Sequence, residues 1–200
     1  MLPVSLKPLL LSAAASAVLL TACQKPSIDP ADNQPNVRPL TDGERNTVNS
    51  ANDFAFRAFG ALRGKAPADN MCISPLSISA ALTMAYNGAE GSTKADMKQT
   101  LGFAPQTDTE INQSFQSLFV LLRGIDRQVT FTTANSIWYG QQYQLQAPFV
   151  QQNQTYFNAH VQGVNFASSL TKNIINSWVS TETHGKIPSI LNSTDPGDVM

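Results

Sequence analysis

The apolar residues change period along the chain, from helical to alternating and back, and these changes mark out the elements. Asn46–Leu62 reads as a first helix, with Phe54, Ala58, Ala61 and Leu62 at helical intervals and Phe56 and Phe59 widening the face. Gly64, Pro67 and Asp69 break it. Asn70–Ser74 is a short apolar run with strand character. Ser74-Pro75 then marks a helix start, because serine can cap free amides and proline suits the first helical position. The helix Pro75–Asn87 is apolar nearly all round, which predicts deep burial, and Gly88 follows as an expected left-handed cap. A short helix over Thr93–Leu101 is closed by Gly102. In Glu110–Gly124, Ile111, Phe115, Leu118, Phe119 and Leu122 form one helical stripe.

The period then becomes two. In Val129–Tyr139, Val129, Phe131 and Ile137 share one face, while Thr130, Thr132 and Ser136 share the other with Trp138. This predicts a long strand with one apolar face. Gln141–Gln146 is a polar connection. Pro148–Phe157 reads as a helix, His160–Phe166 as a strand, and Thr171 or Asn173 starts a last helix through Thr183, with Gly185 as its stop. Helices come first and then alternate with strands, which predicts an α+β domain with helices packed on a large sheet.

Composition narrows this picture. Hydrophobic residues make up 42% of 200 residues, enough for a core, and the net charge of −1 gives no basic footprint for nucleic acid. Two cysteines, Cys23 and Cys72, cannot make a disulfide framework; Cys72 is expected as a small apolar residue in a buried strand. His160 and His184 lack the paired spacing of a zinc site, and no metal or cofactor is expected. His184 falls at a helix C-terminus, where the dipole favours positive charge. Gly88-Ala-Glu-Gly91-Ser-Thr-Lys94 fails the phosphate-loop spacing and reads as a helix-to-helix turn. No Gly-x-Ser-x-Gly elbow is present, and no nucleophile–base pair is visible, so an enzyme is not expected. Asn153-Gln-Thr155 and Asn192-Ser-Thr194 match the glycosylation pattern, a short motif that carries little weight by itself.

Residues 1–22 read as a targeting segment. Lys7 precedes the apolar run Leu9–Leu20, which is short for a membrane span. Leu20-Thr21-Ala22-Cys23 resembles a bacterial lipobox, which implies cleavage before Cys23 and lipidation of that residue. Gln24 is not Asp, so no inner-membrane retention signal is apparent, and in a Gram-negative host the outer membrane is the expected address. Residues 23–45, with Pro26, Pro30, Pro35 and Pro39, read as a flexible tether, and the globular part is expected to begin near Glu44 and run over 46–200.

Three blocks carry a family resemblance. The first is Asn70–Phe103, with Ser74-Pro75-x-Ser77, Gly88-Ala89, Gly91-x-Thr93 and Leu101-Gly102-Phe103. The second is Ala134-Asn135-Ser136-Ile137-Trp138, followed by Tyr156-Phe157 and Val164-Asn165-Phe166. The third is Ile175-Asn176-Ser177-Trp178-Val179, then Thr183-x-Gly185-Lys186-Ile187. In order and spacing these resemble the N-terminal portion of the serpins, the serine protease inhibitor family. The resemblance implies a serpin-like α+β fold, with helices packed around a large, mainly antiparallel sheet, incomplete at the C-terminus. It also implies a serine-type endopeptidase inhibitor, with cysteine-type as the variant. Such an inhibitor offers a bait loop, is cleaved to an acyl-enzyme, and inserts the loop as a new strand. The protease supplies the nucleophile, so the chain itself holds no catalytic residue.

Residue by residue, Ser74 and Ser77 match the serpin shutter, the hydrogen-bonded cluster beneath the opening sheet, and Asn70 matches a neighbouring position. Short hydroxyls suit a place where partners exchange as strands separate. A helix cap at Ser74 and a tight contact at Ser77 explain the same residues without a switch. Val129–Tyr139 matches a main-sheet strand, Asn173–Gly185 the helix across that sheet, and Trp178 a core anchor. The reactive centre is expected beyond Met200, with Asp198-Val199-Met200 beginning the next strand, and this 200-residue product alone is expected not to inhibit. The alternative is a non-inhibitory serpin-fold lipoprotein with a binding or structural role. The expected partners are a target protease and, through the N-terminal lipid, a membrane.

Overall fold

The computed structural model describes residues 35–65 and 70–200. The targeting segment, Cys23 and the first part of the tether lie outside the described residues. Six helices and two strands follow in order: α1 (Asp42–Lys65), α2 (Pro75–Tyr86), α3 (Gly91–Thr100), α4 (Asp108–Gly124), β1 (Ser136–Gly140), α5 (Ala147–Phe157), β2 (His160–Val164) and α6 (Thr171–Glu182). Among the described residues no helix is long and apolar enough to cross a membrane.

Two helix starts use the same local device. At α4, Thr107 accepts from the Glu110 amide while the Glu110 carboxylate accepts from the Thr107 amide. At α1, Thr41 and Glu44 make the same reciprocal pair at 3.2 and 2.8 Å. Each box satisfies amides that a helix start leaves without partners. The box at Thr41 places the start of α1 at Asp42, earlier than the hydrophobic pattern suggests, and Glu44 is buried rather than at the end of a tether.

The core is built from aromatic rings. Tyr86, Phe103, Phe115, Phe119 and Phe157 meet in a chain of contacts with centroids 5.6–6.4 Å apart, joining α2, α4 and α5. Of the predicted α4 stripe, Ile111, Phe115, Leu118 and Phe119 are all buried. The α1 stripe fares differently. Phe56, Phe59 and Leu62 are exposed, because α1 packs through its first half, where Thr47 and Ser50 bond Gln106 and Gly102.

β1 and β2 run parallel, in register from Ser136 with His160 to Gly140 with Val164, and α5 makes the crossover that a parallel pair requires. Both faces of this pair are covered. Ile137 and Val161 join the main core, while Trp138 and Val164 face a second cluster with Phe166 and Ile175 of α6. The presence of Trp138 among polar neighbours is thereby explained: its face is covered by α6 rather than by solvent.

Five expectations are corrected. The strand predicted over 129–139 is paired only from Ser136, since residues 129–135 have no ladder partner among the described residues. Asn70–Ser74 likewise forms no ladder, and Cys72 is exposed rather than buried. Helix α2 is buried on one side only: Ser79, Ala80, Thr83 and Met84 point inward, while Ser77, Ala81 and Ala85 are exposed. Gly88 does not take the left-handed conformation. Its lack of a side chain matters for another reason: a Cβ there would sit 2.8 Å from the Phe149 ring.

Candidate functional site

The exposed side of α2 borders an open trough. Ser77, Ala81 and Ala85 recur every four residues, so small side chains form one stripe along the helix. Opposite stand the extended segment 131–136 and, on α6, Trp178 and Val179. The hollow between them measures about 530 Å3, with Phe119 and Leu76 among its walls. A neighbouring hollow of about 560 Å3 shares Ala81, Met84 and Ser136 and continues the trough toward Ile175 and Phe166. Among the described residues, Glu182 is the single ionisable side chain lining the first hollow. The first hollow presents mainly small, apolar and hydroxyl side chains, and the second adds Asp198 near Met200.

Ser74 and Ser77 stand at one end of this trough. Their hydroxyl oxygens lie 2.8 Å apart, close enough for either to donate. Ser74 occupies the cap position of α2, yet its side chain makes no capping bond. The hydroxyl is spent on Ser77 instead, which separates this residue from an ordinary helix cap. Asn70 is exposed and shares no hydrogen bond with either serine. The structure thus brings together two of the three residues singled out in the sequence.

Residues beyond α6 turn back along that helix. Gly185, at φ 75°, and His184, at φ 52°, let the chain reverse. Asn176 then holds the returning segment: its Oδ1 accepts from the Ile190 and Leu191 amides at 2.9 and 3.0 Å, and its Nδ2 donates to the Leu191 carbonyl at 2.8 Å. The Gly140 amide donates to the Val199 carbonyl at 2.9 Å, so the chain near Met200 reaches the open edge of β1. Trp178, expected in the core, is half-buried and packs on Trp138 with centroids 5.9 Å apart.

Two polar clusters support the frame and were not anticipated from sequence. Glu44 accepts from both Arg38 guanidinium nitrogens, at 2.8 and 2.5 Å, and from Ser117 at 2.5 Å. The Arg38 hydrogen bonds, helped by Ser117 and the Thr41 amide, hold its carboxyl down at about 2 despite burial. Asn87 donates to Asn112 and Asn153 at 2.9 and 3.1 Å, fastening the end of α2 to α4 and α5. Nearby, Tyr86 donates to Asp108 at 2.5 Å, and Lys94 reaches the other Asp108 oxygen at 2.7 Å. Burial, and then the Asp108 carboxylate, push the Tyr86 phenol well above its ordinary range, so it stays a donor. Among the described residues, no group of three or more His, Cys, Asp or Glu side chains could hold a metal ion.

A family model described as serpin (serine protease inhibitor) matches residues 49–200. The chain belongs to the serpin family. Human corticosteroid-binding globulin is 35% identical over 155 residues, covering 76% of this serpin chain and 38% of that protein. Leukocyte elastase inhibitor of Sus scrofa is 36% identical over 142 residues, covering 70% and 37%. Alpha-1-antitrypsin of Meriones unguiculatus is 32% identical over 151 residues, covering 74% and 37%. Human thyroxine-binding globulin complexed with thyroxine superposes with a TM-score of 0.72 at 28% identity, covering 78% of this chain and 43% of that one. Human kallistatin gives a TM-score of 0.75 at 23% identity, a likeness of fold alone. The serpin α+β architecture is therefore the fold. This chain spans under two fifths of the length of the curated relatives it matches.

Proposed function

We propose that the complete protein is an exported inhibitor of serine-type endopeptidases, with cysteine-type enzymes as a variant target, acting by suicide-substrate loop insertion. In this reading the present chain contributes the scaffold and part of the switch. The target enzyme supplies the nucleophile, and the chain supplies no catalytic group. The observation that carries the reading is the trough beside β1, long and nearly uncharged, with the Ser74–Ser77 pair at its end. A sheet that accepts a new strand needs such a place, bordered by small side chains and by hydroxyls that change partners cheaply. Relatives named as an elastase inhibitor and an antitrypsin support it.

The lipobox-like Leu20–Cys23 supports an anchor at Cys23, which would hold the inhibitor at the outer membrane of a Gram-negative host, in the periplasm or at the cell surface. A second reading, a non-inhibitory serpin with a binding or structural role, is favoured by the likeness to corticosteroid-binding globulin. The complete protein titrated into trypsin-like, elastase-like and papain-like proteases separates the two. Stoichiometric, irreversible loss of one protease activity supports inhibition. Turnover of the protein as a plain substrate by all three leaves the binding reading.

A further inference from the structure

The sequence contains two tryptophans, Trp138 and Trp178, and the structure places one imidazole against both. Trp138 stands on β1, His160 opens β2, and Trp178 lies on α6, so three elements meet in three rings. The His160 centroid is 5.2 Å from Trp138 and 5.7 Å from Trp178, and its plane is 25° from that of Trp178, a stacked arrangement. The ring is open to solvent, and its Nε2 lies 2.9 Å from Gln162 Oε1. A hollow of about 290 Å3 beside it is lined by neutral residues of both connecting segments and, from α6, by Glu182. Among the described residues, Glu182 is the one other ionisable group lining that hollow; β1 and β2 present Ser136 and Gln162.

We propose that His160 is a protonation-dependent clasp, holding α6 on the β1–β2 pair more tightly as an imidazolium than as a neutral ring. An imidazolium is attracted to the negative faces of the two indoles and to the Glu182 carboxylate across the hollow. The contact with Gln162 is compatible with both states, because Nε2–H can donate in each. Imidazole is the side chain that ordinarily changes charge between about pH 5 and 8. Among the described residues, α6 also meets the strand pair through a small cluster of Val164, Phe166 and Ile175, and Thr171 at its start donates to the Asn165 carbonyl. Acidification should therefore tighten α6 over the strand pair, and neutral pH should loosen it. Glu44, whose carboxyl titrates at about 2, does not contribute in this window.

Because both indoles sit at the clasp, tryptophan emission of the 200-residue chain reads this site alone. Emission and urea midpoint should be followed from about pH 8 to about pH 5. The expected result is a one-proton fall in emission, as the imidazolium quenches the indoles. It should be accompanied by a higher midpoint, worth about a two- to fivefold change in the unfolding constant for an exposed cation–π contact. His160→Phe keeps a stacked ring without the proton and should lose both effects, whereas His184→Gln should keep both. Glu182→Gln leaves all three rings in place and should keep the emission step while shrinking the midpoint shift. An emission step that survives in His160→Phe, or vanishes in His184→Gln, would overturn the proposal. So would a step with no midpoint shift, since the proton would then quench without tightening.

Discussion

The hydroxyls of Ser74 and Ser77 lie 2.8 Å apart on the exposed side of α2, each the other's partner and neither bonded to a helix amide. An exposed, replaceable pair of this kind contributes little to static stability, since surface substitutions usually fall within about 0.5 kcal/mol. Ser77→Ala in the 200-residue chain should therefore leave the urea midpoint nearly unchanged. In the complete protein the same variant should lower heat stability and inhibitory efficiency, because the pair would there take part in a sheet that opens. Unchanged melting and unchanged inhibition in the complete protein would remove Ser77 from the switch.

Glu44 makes a contrasting prediction, one that is purely structural. Its carboxyl lies at about 2 in the folded state against an ordinary 4.5, held down first by the Arg38 hydrogen bonds. A depressed acid stabilises the fold above the ordinary value, and that contribution disappears as pH falls from about 4.5 toward about 2. Glu44→Gln should cost about 1–3 kcal/mol at neutral pH, the range for disturbing a buried charge-assisted bond. The difference between wild type and variant should shrink as pH falls through that window, and acid–urea titration of both proteins measures it.

Gly88 can be tested for space rather than for backbone freedom. A Cβ there would approach Phe149 Cε2 at 2.8 Å, so Gly88→Ala should destabilise by about 1–3 kcal/mol through overpacking. Adding Phe149→Leu should recover part of that loss if the ring is the obstacle. A double variant as unstable as the sum of the two single changes would place the cost in the backbone instead.

The asparagine cluster should be intolerant of truncation. Asn112 and Asn153 are buried, and Asn87 bonds to both. Asn153→Ala should cost about 1–3 kcal/mol, because the Asn87 amide group loses an acceptor that water does not replace. Denaturant unfolding reads this directly, and a loss under half of that range would mean the cluster relaxes around the gap.

The legibility of these features in sequence follows from how local they are. The α4 stripe was readable because Ile111, Phe115 and Phe119 repeat at helical spacing and face one core. Both helix boxes were readable in principle, since Thr41-x-x-Glu44 and Thr107-x-x-Glu110 are short patterns, though hydrophobic periodicity alone passed over them. The third partner of Glu44, Ser117, lies 73 residues away, and Asn87 and Asn153 are 66 apart, so no spacing announces them. Trp138 misled for a related reason: alternation assigns a residue to a face but not what covers that face, and α6 arrives there from more than thirty residues later. At the trough, family likeness drew attention to Ser74 and Ser77, and the bond between them fits their i, i+3 spacing. Asn70 carried the same likeness without joining them.

The most direct test of the account is the intact mass of the products formed when the complete protein meets an excess of a serine protease and is then denatured. Inhibition by loop insertion predicts a species equal to the protease plus the inhibitor segment N-terminal to the cut, less one water, joined by an ester to the protease serine, with the segment beyond the cut released as a free amine. Unmodified protease beside a cleaved or untouched chain, across trypsin-like and elastase-like enzymes alike, would contradict it.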